Sequence, residues 1–206
     1  MTVPVVAIGG PPGAGKTIVA TMFRDALAQQ GKSMVHFDLS PYTLPRKWNH
    51  YDPFSFQVEY ARRHLRALKR GEPITQPVYE PGTRRRLEQG LGVLPGDVVI
   101  VDHYFALTWF EAEADLSIYL STNVDTCRER FYEKQTRDPE KGGYGRSRLA
   151  AMLSWHFHVG PAMRNYIRPS GDNAVRFSGD YKRRQIMDQA RSTLVPRLLD
   201  LVPHPA

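Results

Sequence analysis

Eight consecutive residues, Gly10-Pro11-Pro12-Gly13-Ala14-Gly15-Lys16-Thr17, match the pattern G-x-x-x-x-G-K-[ST] in full. Each residue type has a chemical reason to be there. Glycines let backbone N–H groups turn inward and approach phosphate oxygens with no Cβ in the way. A helix starting near Lys16 brings the positive end of its dipole to the same spot. The Lys16 ammonium can then reach β- and γ-phosphates, the Thr17 hydroxyl can ligate Mg²⁺, and the run from Gly10 to Ile18 is expected to bind the nucleotide. The ligands implied are ATP and Mg²⁺.

Two acids extend this constellation. Asp102 follows the β-branched run 98–101, where a carboxylate can organise the magnesium shell, usually through water. Asp38 ends a second short expected strand, 33–38, and can accept the proton of an attacking hydroxyl. Each acid has a plainer alternative as a turn or helix cap. Arg130, Arg137, Arg146 and Arg148 lie in a segment, 128–148, that also carries the Gly142-Gly143 pair. Guanidinium groups stabilise a transferring phosphoryl group without changing protonation state, and a glycine pair lets such a lid close. Some of these arginines are expected instead to pair with Glu129, Glu133 or Glu140. Tyr42, Trp48, Tyr51 and Tyr79 supply aromatic surface for an acceptor pocket, or for packing. His156 and His158 stand two apart on an expected helix and point in different directions, so no metal site is expected there.

The elements that must hold these residues alternate between strand and helix patterns, which argues for a parallel sheet covered on both faces. Strands are expected at residues 3–9, 33–38, 98–101, 116–120 and 174–177. Helices are expected at 16–30, from Asp52-Pro53 to about 70, from Val124 with Asn123 as cap, from about 148 to 167, and at 181–201. In the second of these Phe54, Val58, Ala61, Leu65 and Leu68 recur at helical spacing and should face inward. Turn signals throughout 72–95 suggest extended arms or a hairpin outside the main sheet. With no repeat or linker in its 206 residues, the chain reads as one α/β domain of the P-loop NTPase class: five parallel strands, helices on both faces, a small acceptor-binding arm at about 72–95 and an Arg-rich lid at about 128–148.

Composition narrows the classes further. Cys127 is the sole cysteine, so an intrachain disulfide framework is excluded, which suits a reducing cytoplasm. The first apolar run is too short for a signal peptide or membrane span, and no later run approaches 18 apolar residues, so the chain reads as soluble and cytoplasmic with no membrane partner. A net charge of +7 fits a polyanionic small ligand, a nucleic acid or a solvated basic surface. A nucleotide switch should offer an Asn-Lys-x-Asp segment, and none occurs. A small-molecule hydroxyl acceptor is therefore the expected partner rather than nucleic acid, and an assembly of identical chains is compatible with it.

The order of motifs resembles the uridine kinase/phosphoribulokinase group of P-loop kinases over most of the chain. Phe37-Asp38-Leu39-Ser40-Pro41-Tyr42 is similar to that family's strand-end Asp and aromatic pair, which implies Asp38 as base and Tyr42 as an acceptor contact. Asn49-His50-Tyr51-Asp52-Pro53 resembles its Asp-His-Pro acceptor segment, and Pro77-Val78-Tyr79-Glu80 with Arg84 and Arg86 its Pro-x-Tyr-Asp stretch over the base. Asp125-Thr126, Arg130, Arg137-Asp138 and Gly145-Arg146 resemble its lid. The resemblance implies a kinase that moves a phosphoryl group from ATP to a small hydroxylated acceptor, with Lys16, Arg130 and Arg137 beside Asp38 in catalysis and Arg146 on the nucleotide. Departures stand out: Tyr51-Asp52-Pro53 for Asp-His-Pro, Arg84 where nucleoside kinases carry His, and Asp102-His103 for Glu-Gly. Asp52 has an equally good reading as a helix cap. With His103 and Arg84 facing the acceptor, a modified nucleoside or nucleoside-like compound is implied rather than ordinary uridine; pantothenate, a ribosyl nicotinamide and a sugar phosphate are the alternatives.

Overall fold

Val5–Gly9 (β1) and Val98–Asp102 (β5) form the middle of the sheet, and their β-branched side chains are buried on both faces. In the computed structural model, which describes residues 2–44, 49–80, 85–180 and 183–202, Met34–His36 (β2), Leu116–Leu120 (β6) and Val175–Phe177 (β7) complete a five-stranded sheet in the order β2-β5-β1-β6-β7. Every pairing within it is parallel. The register sets Ile8 beside Asp102 and Gly9 beside Tyr119, so the chain leaves β1 between the carboxyl ends of its two neighbours. That is where parallel sheets collect their ligands.

Lys16–Gln29 (α1) follows the loop and buries Val19, Ala20, Met22, Phe23 and Leu27, the spacing of one helical face. It packs with Arg183–Thr193 (α7) and Val195–Leu199 (α8). Val58–Lys69 (α2) packs with Ala106–Phe110 (α3), which in turn meets β1 and the segment 163–167. The outer face of α2 is tied down by Arg66 to Glu113 at 2.6 Å and Lys69 to Asp115 at 2.8 Å, while Asp115 accepts the Val5 amide at the foot of β1. Among the described residues no helix is long and apolar enough to cross a membrane.

Several expected boundaries move. Strand β2 ends at His36, because the backbone turns at Ser40–Tyr42 and only the Phe37 amide continues the pairing, to Ile100. Asp38 thus lies just beyond the strand. Asp52 caps a 3₁₀ turn, Pro53–Ser55, and α2 starts later, at Val58. Phe54 is therefore off the helix and 72% exposed, against its expected inward face. The closing helix breaks in two at Leu194, since Pro196 has no N–H to give and fits only a first turn.

Ile74–Glu80 (β3) and Arg85–Val93 (β4) form an antiparallel hairpin separate from the main sheet, with a register shift at Gln76/Val78 where Pro77 interrupts the ladder. Val124–Thr136 (α4) begins at Asn123, whose side chain accepts the Asp125 amide. A loop leads to Arg148–Ser154 (α5), and helical backbone continues to Ile167 through Gly160–Ala162 (α6) with a π-helical stretch on either side. Pro161 removes one donor there, and the ladder widens around it.

Candidate active site

The loop from Gly10 to Thr17 wraps the N-terminus of α1. Gly15 is the N-cap in left-handed conformation, so no side chain stands before the first helical amides. Gly13 is needed twice over: its φ is +82°, and a Cβ there would sit 2.5 Å from the Cys127 carbonyl oxygen. Outside the loop a set of contacts holds its shape. The Thr122 hydroxyl donates to the Ala14 carbonyl at 2.9 Å and accepts the Gly179 amide at 3.1 Å. Arg130 reaches the carbonyls of Gly13 at 3.3 Å and Gly179 at 2.8 Å. Arg130, expected in catalysis, here braces the loop backbone from α4.

Lys16 folds back over the loop and donates to the Gly10 and Pro11 carbonyls, both at 2.9 Å. Burial pushes its ammonium down to about 8, against the pull of Asp102. Desolvation works to raise the Asp102 carboxyl. Hydrogen bonds from His36 and Thr17 and the Lys16 charge outweigh it, so Asp102 is held below the ordinary carboxylate value. His36 Nε2 lies 2.5 Å from Asp102 Oδ1, and that hydrogen bond, with lesser help from the Asp38 charge, raises the imidazole pKa. The meeting of the Thr17 hydroxyl with the Asp102 carboxylate gives the hard oxygen donors that Mg²⁺ takes. Among the described residues no three or more His, Cys, Asp or Glu side chains are placed to hold a metal ion by themselves, so the remaining positions of such an ion would fall to phosphate oxygens and water.

A cleft of about 370 Å³ opens in front of the loop, lined by Lys16, Thr17, Ile18, Tyr51, Tyr104 and Arg130, with Lys134, Gln135 and Tyr144 from the lid side. The Gln135 side-chain oxygen is buried there with no hydrogen-bond partner. A buried acceptor left open in a cleft is a place for a ligand donor. Asp38 is exposed; its Oδ1 accepts the Ser40 amide at 2.9 Å, and its carbonyl accepts from Gln76 on the hairpin at 2.7 Å.

Other expected residues fall elsewhere. Tyr42 is fully buried, its hydroxyl 2.7 Å from His64 Nδ1, and has no surface to offer an acceptor. Asp52 accepts the Phe54 amide at 3.0 Å as a cap. His103 stacks on Trp109 at 5.6 Å and packs edge-on against Phe56; burial and the Lys16 charge push its pKa down to about 3, so it is neutral. Arg137 and Arg146 are exposed and do not line the cleft, though Arg146 sits 6.0 Å over the Tyr144 ring. Arg148 lies 3.7 Å from Glu129, the plainer reading for a lid arginine. Tyr79 lies on β3, whereas Arg84 and Trp48 are outside the described residues. His36, Thr122, Gly179, Tyr104 and Gln135 were not anticipated. The signal for the first three was available: each follows or ends a strand at its carboxyl end.

Sheet order, loop and the Lys16–Thr17–Asp102 cluster define a P-loop kinase, a nucleotide-binding transferase. The chain belongs to the phosphoribulokinase/uridine kinase family, whose profile matches residues 42–176, more than half of it, and it is a small-molecule kinase. A Zeta toxin profile matches residues 3–44. Uridine kinase of Deinococcus deserti is 28% identical over 174 residues, covering 81% of this chain and 82% of that one. Uridine kinase of Salmonella typhimurium is 27% identical over 179 residues, with the same coverage. Among solved structures, D-glycerate 3-kinase from Cryptococcus neoformans shares the fold with a TM-score of 0.67 at 13% identity, over 86% of each chain.

Proposed function

We propose that the protein transfers the γ-phosphoryl group of Mg·ATP to a hydroxyl of a small molecule, a nucleoside or nucleoside-like natural product. The observation that carries this reading is the chain of interactions from Lys16 and Thr17 through Asp102 to His36, with Asp38 beside it just beyond the end of the neighbouring strand. Loop amides and Lys16 bind the phosphates, and Lys16 exchanges its two carbonyl contacts for phosphate oxygens. Thr17 and Asp102 are the residues that would hold Mg²⁺, which when bound neutralises charge between the phosphates. Asp38 orients the acceptor hydroxyl and takes its proton; Oδ1 is held by the Ser40 amide, leaving Oδ2 for the hydroxyl. Arg130 keeps the loop in shape, and Lys134 adds positive charge from the lid side of the cleft. Tyr51 and Tyr104 give the cleft an aromatic wall suited to a planar base.

A second reading is a smaller hydroxylated acceptor. It is favoured by Asp52, which stands where the family has its acceptor-contacting segment but is occupied as a cap. The name of the glycerate kinase shows that a hydroxy acid can be the acceptor of a protein with this fold. An ATP-consumption screen over nucleosides, nucleoside analogues, sugars and hydroxy acids, with mass detection of product, separates the two. With the acceptor in hand, Asp38→Asn should keep nucleotide binding and lose transfer. Unchanged turnover in that variant would remove Asp38 from its role.

A further inference from the structure

A second cavity, of about 580 Å³, lies at the carboxyl end of β6, and it shares no lining residue with the cleft in front of Lys16. Adjacent residues of the loop serve the two: Pro12 lines the cleft, and Pro11 the second cavity. Its charge is one-sided. Arg164, Arg168 and Arg176 line it with a single carboxylate, Asp172, and that carboxylate is held by Arg176 at 3.2 Å. Asp180, close by in the chain fold, is already engaged by the Asn123 amide at 2.7 Å and the Ser178 hydroxyl at 3.0 Å. Arg164 and Arg168, one helical turn apart, have no ion pair and no side-chain hydrogen bond among the described residues.

Two guanidinium groups four residues apart in helical backbone, lining one cavity and with no ion-pair partner among the described residues, repel each other unless an anion joins them. Planar donor forks match the oxygens of a phosphate in a bidentate way. The remaining walls are those of a small-molecule site rather than an ion dimple. Tyr119 supplies an aromatic surface on which the Arg176 guanidinium already rests at 5.6 Å, and Pro169 adds an apolar edge. The volume lies within the range of cavities that take a small organic ligand. We propose that this cavity is a second ligand site, taking a phosphate-bearing small molecule whose phosphoryl oxygens are gripped by Arg164 and Arg168.

The site is wired to the nucleotide loop. Thr122, which lines the cavity, also bonds the Ala14 carbonyl and the Gly179 amide. An occupant that shifts Thr122 is therefore felt by the loop, which makes the ligand an effector and not a second acceptor.

The test is thermal melting with increasing inorganic phosphate, at ionic strength held constant with chloride, and with malonate in a parallel series. A ligand that binds only the folded state raises Tm with its concentration. The Lys16→Ala variant takes the lysine charge from the nucleotide loop, weakening the loop's own hold on phosphate, and should still be stabilised. Arg164→Gln/Arg168→Gln should lose the part of the rise that survives Lys16→Ala, and Arg164→Lys/Arg168→Lys should restore some of it. Both arginines are exposed, so the variants should melt like the wild type without phosphate. A rise abolished by Lys16→Ala and untouched by the arginine changes would overturn the site, as would no rise in any variant. Stabilisation by malonate equal to that by phosphate would overturn the phosphate assignment.

Discussion

Lys16 should make triphosphate binding weaken with rising pH in a window far above the usual one for ATP itself. Its pKa in the nucleotide-free protein is lowered to about 8, because burial disfavours the ammonium more than Asp102 favours it. A bound triphosphate puts several negative oxygens beside the same nitrogen and restores the charge. The sign follows: the anion prefers the protonated lysine, and the protonated fraction falls as pH rises through 8. Between one pH unit below and one unit above that value, the fraction drops from about nine-tenths to about one-tenth. Affinity should fall about tenfold over the same span, or ~1.4 kcal/mol. Near the midpoint, binding should take up about half a proton per nucleotide. Calorimetry with a non-hydrolysable ATP analogue and Mg²⁺, in two buffers of different ionisation heat, reads both quantities. Lys16→Gln should flatten the dependence and abolish the uptake. A wild-type affinity constant across this window, or no proton uptake at its centre, would show that Lys16 is fully charged in the free protein and refute the reasoning.

Thr122→Val keeps side-chain volume but leaves the Ala14 carbonyl and the Gly179 amide without their partner; it should destabilise by about 1–3 kcal/mol and raise the KM for nucleotide more than that for acceptor, as read by urea melts and steady-state kinetics. Gly179→Ala puts a Cβ at 2.1 Å from the Ala14 carbonyl oxygen and 2.4 Å from Thr122 Oγ1, so the nucleotide loop must shift; a Tm drop matching about 1–3 kcal/mol with a matching loss of nucleotide affinity is expected, and an unaltered affinity would count against the brace. His36 has a raised pKa through its bond to Asp102, so its contribution to stability is complete below the ordinary value of 6.5 and lost as pH rises through the raised one. The Tm difference between wild type and His36→Gln should therefore shrink with rising pH in the nucleotide-free protein, and a difference that grew would reverse the assignment.

Local rules were enough for the framework. Five strands in parallel, the glycine-rich turn between β1 and α1, and the caps at Asn123 and Asp52 all rest on interactions within a few residues or on the plain burial of β-branched runs. Gly13 and Lys16 were legible for the same reason, because the phosphate cradle is a property of one short segment. Asp102 was legible as the polar end of a buried strand.

Tertiary packing decided the rest. Tyr42 and His103 looked like pocket residues, yet one is fixed in the core by His64 and the other by a cluster of rings, since a partner far along the chain determines where an aromatic side chain turns. Phe54 lost its inward face when Asp52 spent its cap on a shorter turn. The brace of Thr122, Arg130 and Gly179 behind the loop joins residues that come together only because β6 and β7 end side by side. His36 finds Asp102 across 66 positions because β2 and β5 are neighbours in register. Residue types and short spacings determined which chemistry this chain can hold. Only the folded sheet decided which side chains face it, because hydrogen bonds and burial between distant segments depend on strand order, which no local pattern encodes.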